Sequence, residues 1–144
     1  MPKLDDLYRE VVLDHYRRPR GRAAVDRADI STEGFNPTCG DQVHVAVRLD
    51  GDRLEAVQVD SRGCSISVAS GSMMAELLRG KTREEAARLT AAFKDLMHGR
   101  AGESPVDLGD LEALEGVSRF PVRIKCALLP WTTLEGALED RNHA

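Results

Sequence analysis

The sequence predicts an α+β domain: a small antiparallel sheet of three strands with helices packed on one of its faces. Two observations predict it. Val43, Val45, Val47 and Leu49 alternate with Gln42, His44, Ala46 and Arg48, and a second alternation over residues 54–61 follows the turn dipeptide Asp50-Gly51. Before and after this hairpin the apolar spacing changes to the helical period. A chain of 144 residues has room for one domain, 1–144, with a hydrophobic core of its own.

The elements follow in order. Leu4, Leu7, Tyr8, Val11, Val12 and His15 mark an amphipathic helix over 4–17, stopped by Pro19 and Gly21. Residues 28–35 supply a short strand, the third member of the sheet. The return strand over 54–61 ends at Arg62-Gly63-Cys64. From Ser65 onward, Ile66, Ala69, Met73 and Leu77 share one helical face, and Gly80 closes that helix. Thr82 with Glu85 forms a capping box for the next helix, whose stripe is Ala86, Leu89, Ala92 or Phe93, and Leu96. The stretch Gly99 to Gly109 reads as an exposed connection, and Leu108, Leu111 and Leu114 as a short helix. Pro121 suits the first position of the last helix, with Ile124, Leu128, Leu134 and Leu138 on its buried side. Pro130 has no N–H for the Cys126 carbonyl, so a kink is expected there. His44, between inward valines, is expected to face out. His15 is expected to answer the helix dipole, and Met73 and Trp131 to sit in the core.

Composition narrows the function classes. With 42% hydrophobic and 31% charged residues and a net charge of −4, the chain reads as a soluble globular protein. The densest basic stretch, Arg17 to Arg22, has no aromatic platform beside it, so no nucleic-acid partner is expected. No run approaches the roughly 20 apolar residues of a membrane span, and Met1 to Asp6 holds no signal-peptide core. The expected location is the cytoplasm, where thiols stay reduced.

The three cysteines then stand out. In a reducing compartment an odd set points to metal binding or reactivity. Each lies at a junction between a loop and an element: Cys39 in Asn36-Pro37-Thr38-Cys39-Gly40-Asp41, Cys64 after Arg62-Gly63, and Cys126 after Arg123-Ile124-Lys125. Asp41 offers a fourth donor, and Cys39, Asp41, Cys64 and Cys126 together suit one tetrahedral zinc. Gly40 lets the turn bend so that Cys39 and Asp41 face one point. Cys64 opens a helix, where the backbone dipole favours negative charge. Four anionic donors exceed the charge of one divalent ion, so Arg62, Arg123 and Lys125, all close in sequence to a ligand, are expected to balance them. No Cys-x-x-Cys pair is present, which speaks against a zinc finger and for a site assembled on a folded scaffold, able to exchange a ligand.

The motifs Asn-Pro-x-Cys-Gly-Asp, Gly-Cys-x-Ile-Ser and Arg-Ile-Lys-Cys-Ala resemble, in order and spacing, those of the U-type iron–sulfur assembly proteins, over nearly the whole chain. Within that family the IscU scaffolds carry a histidine just before the third cysteine and a shorter gap ahead of it. Lys125 and the longer gap here resemble the SufU subtype instead. The resemblance implies a SufE/IscU-like fold and one zinc on Cys39, Asp41, Cys64 and Cys126. It also implies a SufS-type cysteine desulfurase as partner, contacted by Arg123, whose histidine takes the place of Cys39 on the zinc. The freed Cys39 accepts persulfide sulfur, which passes to a downstream iron–sulfur scaffold. Two rival readings use the same residues: a scaffold that assembles a [2Fe–2S] cluster, and a structural-zinc adaptor without thiol chemistry.

Overall fold

The computed structural model describes the backbone of residues 4–100 and 106–143 and the side chains of 9–100 and 106–139. The order is α1 (Leu4–Arg17), β1 (Ile30–Asn36), β2 (Asp41–Asp50), β3 (Arg53–Arg62), α2 (Ser65–Leu78), α3 (Arg83–Met97), a run of 3₁₀ turns (Gly109–Arg119) and α4 (Pro121–His143). The three strands form one antiparallel sheet in the order β1-β2-β3.

The valine alternation sets the register. Val45 faces Val59 and Val47 faces Val57 across β2 and β3, and all four are buried together with Val43. This face carries α2 and α4. The opposite face shows His44 and Arg48 to solvent, as alternation requires. Ala46 on that side is nonetheless buried. The segment between α1 and β1 covers it: Gln58 Nε2 donates to the Arg22 carbonyl at 3.1 Å and Arg48 Nη1 to that of Asp26 at 2.9 Å. The hairpin closes through Gly51 and Asp52, and Gly51 takes the positive φ of +58° that the turn demands.

β1 starts and ends later than its polar sequence suggests. Its register runs from Ile30 opposite Val47 to Asn36 opposite Asp41, so pairing with β2 rather than apolar content defines it. The capping box at α3 forms as read, with Thr82 Oγ1 accepting from the Glu85 N–H at 3.1 Å and Glu85 Oε1 from that of Thr82 at 3.2 Å. The expected short helix is a run of 3₁₀ turns with Leu111 and Leu114 fully buried. Residues 101–105 of the Gly99–Gly109 connection, and the side chains of Leu4, Leu7, Tyr8 and His143, lie outside the described residues.

α4 continues through Pro130 without interruption. Its deeply buried positions are Cys126, Ala127, Trp131 and Leu134, whereas Ile124, Leu128 and Leu138 are only partly buried. The helix lies over β1 and β2 and also against α2, α3 and the 3₁₀ run, so one narrow stripe does not describe it. Trp131 stacks at a tilt on Phe93, with ring centroids 5.3 Å apart, and its Nε1 donates to Ser70 Oγ at 3.2 Å. The Ser70 hydroxyl in turn donates to the Ala127 carbonyl at 2.6 Å, tying α2 to α4 directly behind the third cysteine.

His15 corrects its sequence reading. Rather than answering the dipole at the helix end, it is 1% exposed and ties three elements. Nδ1 meets Ser72 Oγ at 2.7 Å and Nε2 meets Asp110 Oδ2 at 2.8 Å, while Ser72 Oγ also accepts from the Arg20 N–H at 2.8 Å. His15→Ala leaves the buried Ser72 short of a hydrogen bond, frees the exposed Asp110 to water, and is expected to cost about 2 kcal/mol in chemical denaturation. An unchanged midpoint would show that the tie carries no stability.

Candidate metal centre

The centre is built at one end of the sheet. The turn after β1 carries Cys39, the first residue of β2 is Asp41, the residue between β3 and α2 is Cys64, and α4 supplies Cys126. Cys126 lies five residues into α4, in the early turns of the last helix as its sequence position predicts, rather than at the loop junction itself. Helix geometry there buries its thiol completely.

Asn36 and Gly63 shape the first three positions. The Asn36 carbonyl accepts from the Gly40 N–H at 2.8 Å and its Oδ1 from the Thr38 N–H at 3.2 Å, which winds the turn bearing Cys39. Gly63 has φ +138°, and a Cβ there would collide with Asp41 Oδ1. Only glycine lets the end of β3 pass this close to the carboxylate. Cys64 then caps α2, its Sγ accepting from the Ser67 N–H at 3.5 Å.

Ligand atoms of Cys39, Asp41 and Cys126 lie within 4.8 Å of one another. Cys126 Sγ is 3.1 Å from Cys39 Sγ. Cys64 stands outside this mutual set but against the same carboxylate, with Sγ 3.7 Å from Asp41 Oδ2 and its N–H donating to Asp41 Oδ1 at 2.8 Å. The four donors expected from the sequence are thus neighbours, three as a tight group and Cys64 beside Asp41.

Charge explains what such a group needs. Asp41 is fully buried, and among the described residues no lysine, arginine or histidine is within ion-pairing distance of it. A buried carboxylate is costly unless it is hydrogen-bonded and paired or coordinated to a metal. Burial pushes the Cys126 thiol well above the usual thiol range, and contacts with Asp41, Cys39 and Cys64 push it the same way. A cation among these groups reverses that balance and favours thiolate. Three sulfurs and one carboxylate are donors that suit a zinc-type ion.

The balancing cations are fewer than sequence proximity implies. Arg62 is hydrogen-bonded to Asp60 at 3.3 Å, and Lys125 is exposed. Arg123 is the one that responds to the thiols: Cys64, by charge and by a side-chain hydrogen bond, raises the guanidinium further, and Cys126 and Cys39 add to it. A groove of about 910 Å³ next to the centre is lined by Arg123, Ile66, Phe120, Val12 and Leu114 among others. Phe120, which lines it, is 60% exposed, and the neighbouring Val122 is 56% exposed.

A second group, His15, Glu76 and Asp110, also brings ligand atoms together. Its histidine already bonds Ser72 and Asp110, and Arg20 Nε stands 3.6 Å from Glu76 Oε2, so protein groups satisfy it. His44 faces the outer side of the sheet near Glu33, away from the centre. Asn36 and Gly63 are the site residues that sequence reasoning passed over. The Asx-turn signal of Asn-Pro-Thr marks the first, whereas nothing in the sequence tells which side chain a glycine must clear.

The chain is similar to several known proteins. A family model described as the NifU-like N-terminal domain matches residues 7–127. The chain is 47% identical over 132 residues to the zinc-dependent sulfurtransferase SufU of Bacillus subtilis, covering 92% of this chain and 89% of that one. It is 39% identical over 144 residues to the iron–sulfur cluster assembly scaffold protein IscU of Streptococcus pyogenes, covering 100% of this chain and 90% of the other. Among solved structures it resembles FiSufU from Fervidobacterium islandicum AW-1, described as a candidate iron–sulfur cluster assembly scaffold for the SUF system. The TM-score is 0.84 at 34% identity, over 94% of this chain and 99% of that one. No helix among the described residues is long and apolar enough to cross a membrane.

Proposed function

This chain belongs to the NifU-like N-terminal domain family, and on that footing we propose that it is a zinc-dependent sulfur acceptor for iron–sulfur cluster biogenesis. It takes persulfide sulfur from a SufS-type cysteine desulfurase in the cytoplasm and delivers it to a downstream scaffold. The observation that carries the reading is the meeting of Cys39, Asp41 and Cys126, with Cys64 against Asp41. The B. subtilis relative, a zinc-dependent sulfurtransferase by name, supports it.

Cys39, Asp41, Cys64 and Cys126 would hold the ion. When bound, zinc keeps thiols as thiolates and does no redox chemistry of its own. The residues divide the remaining work. The family resemblance makes Cys39 the nucleophile, and its partial burial on a turn is compatible with that role; Cys126 is fully buried in α4, and Cys64, also partly buried, caps α2. The Cys39 thiolate attacks the outer sulfur of the partner's persulfide. A sulfur–sulfur bond forms on Cys39, and the partner's cysteine leaves as thiolate, so electrons and atoms balance. Arg123, with the exposed Phe120 on the groove and the exposed Val122 between them in sequence, forms the docking edge for the desulfurase. A charge at such a rim acts mainly on encounter, so Arg123→Glu is expected to weaken stimulation about tenfold at low salt, with a smaller difference at high salt. Titration of a desulfurase with the variant checks this, and an unchanged half-saturating concentration would remove Arg123 from the interface.

The decisive experiment measures metal content and then desulfurase turnover with and without the protein. The reading expects about one zinc per chain and stimulation that chelation abolishes. Stimulation by zinc-free protein would refute it. A second reading, assembly of a [2Fe–2S] cluster on the same residues, has the S. pyogenes relative in its favour. Anaerobic reconstitution separates the two: a stable cluster that displaces zinc and moves to an acceptor favours the scaffold.

A further inference from the structure

We propose that Asn36 is a positioning residue of this centre, whose side-chain amide fixes Cys126 as the retained thiolate and leaves Cys39 as the one free to depart. The inference rests on the reading of the centre given above. Asn36 ends β1 and is 7% exposed. Its Oδ1 accepts from the Thr38 N–H at 3.2 Å, which assigns Nδ2 to the other side of the amide, where it donates to Cys126 Sγ at 3.9 Å. The same residue's carbonyl holds the Gly40 N–H at 2.8 Å. One side chain therefore grips both the turn that carries Cys39 and the sulfur of Cys126.

The two sulfurs are 3.1 Å apart yet unequal. Cys126 is fully buried, sits in a helix and has an amide N–H directed at it. Among the described residues, Cys39 Sγ has no such N–H donor. A hydrogen bond to a thiolate stabilises its charge and occupies a lone pair needed for attack. The amide thus lowers the reactivity of Cys126 and, anchored to the turn through Oδ1, holds its sulfur in place, and the asymmetry selects Cys39.

The test uses the full chain loaded with zinc. Asn36→Asp keeps the acceptor for Thr38 but removes the N–H facing the sulfur, whereas Asn36→Ala removes both. Timed alkylation with iodoacetamide, read cysteine by cysteine by mass spectrometry, is combined with zinc transfer to a colorimetric chelator. In the parent, Cys39 reacts first. In Asn36→Asp the alkylation rate of Cys126 rises about tenfold towards that of Cys39, and zinc release quickens about tenfold. Should Asn36→Asp fail to fold by circular dichroism, Asn36→Ser serves, since its hydroxyl keeps a turn acceptor but is too short for the sulfur. A parent-like ratio of Cys39 to Cys126 reactivity in a folded variant overturns the proposal. So does equal acceleration at Cys39, Cys64 and Cys126, which a merely structural role produces. Parent protein that holds no zinc defeats the broader reading instead, and the alkylation ratio of its free thiols still decides the role of Asn36.

Discussion

Replacing Cys39 by serine is expected to return a cysteine desulfurase to its unassisted rate, a loss of tenfold or more in stimulation, with the fold retained. The turn that bears Cys39 contributes nothing to the core cluster, and the residue is only partly buried. Surface substitutions of this kind usually change stability by less than about 0.5 kcal/mol, apart from what the lost metal bond takes away. Serine cannot serve as a persulfide acceptor, so the chemistry is lost even if Asp41, Cys64 and Cys126 still retain the ion. The measurement is sulfide release by the desulfurase, together with the mass of any persulfide on the variant. Cys126→Ser is the contrast: its thiol is buried against α4 and the β1 turn, so it is expected to lose metal and stability together. Normal stimulation by Cys39→Ser would remove the transfer role.

The second large effect is expected at a residue with no side chain. Gly63→Ala places a methyl group against Asp41 Oδ1 and the Asp41 backbone, at a φ of +138° that side chains rarely adopt. Backbone strain of this type costs on the order of 1–3 kcal/mol. Asp41 cannot yield without breaking its bond to the Cys64 N–H, 2.8 Å long, and it is fully buried. A total near 3 kcal/mol and loss of most bound zinc are expected from denaturation and metal analysis. Gly51→Ala is a useful control, because a Cβ there meets nothing within 4 Å despite a positive φ of +58°. It is expected to cost only the backbone term and to keep the metal. Equal metal content in both variants would show that Gly63 has no special relation to Asp41.

These effects indicate what could be read from residues alone. The valine alternation was legible as a hairpin because a period of two has a single solution once one face is buried, and Val45 meets Val59 and Val47 meets Val57 as it requires. Thr82 and Glu85 were legible because a capping box is local. The donors Cys39, Asp41, Cys64 and Cys126 could be nominated by residue type and motif, and three of them now form one group. What escaped was long-range. His15 looked like a helix-end residue until Ser72 and Asp110, distant in sequence, were brought to its two nitrogens. Arg62 looked as useful as Arg123, but its neighbour Asp60 takes it away from the centre. Asn36 drew no reading of its own, because its hold on Cys126 exists only where α4 is laid across the end of β1.

The proposed sulfur transfer requires a divalent ion held by three sulfurs and one carboxylate oxygen. X-ray absorption at the zinc edge of the purified protein tests this directly. Three sulfurs at about 2.3 Å and one oxygen at about 2.0 Å are predicted, with one sulfur fewer in Cys39→Ser. A shell of oxygen and nitrogen alone, or one left unchanged by that substitution, would contradict it.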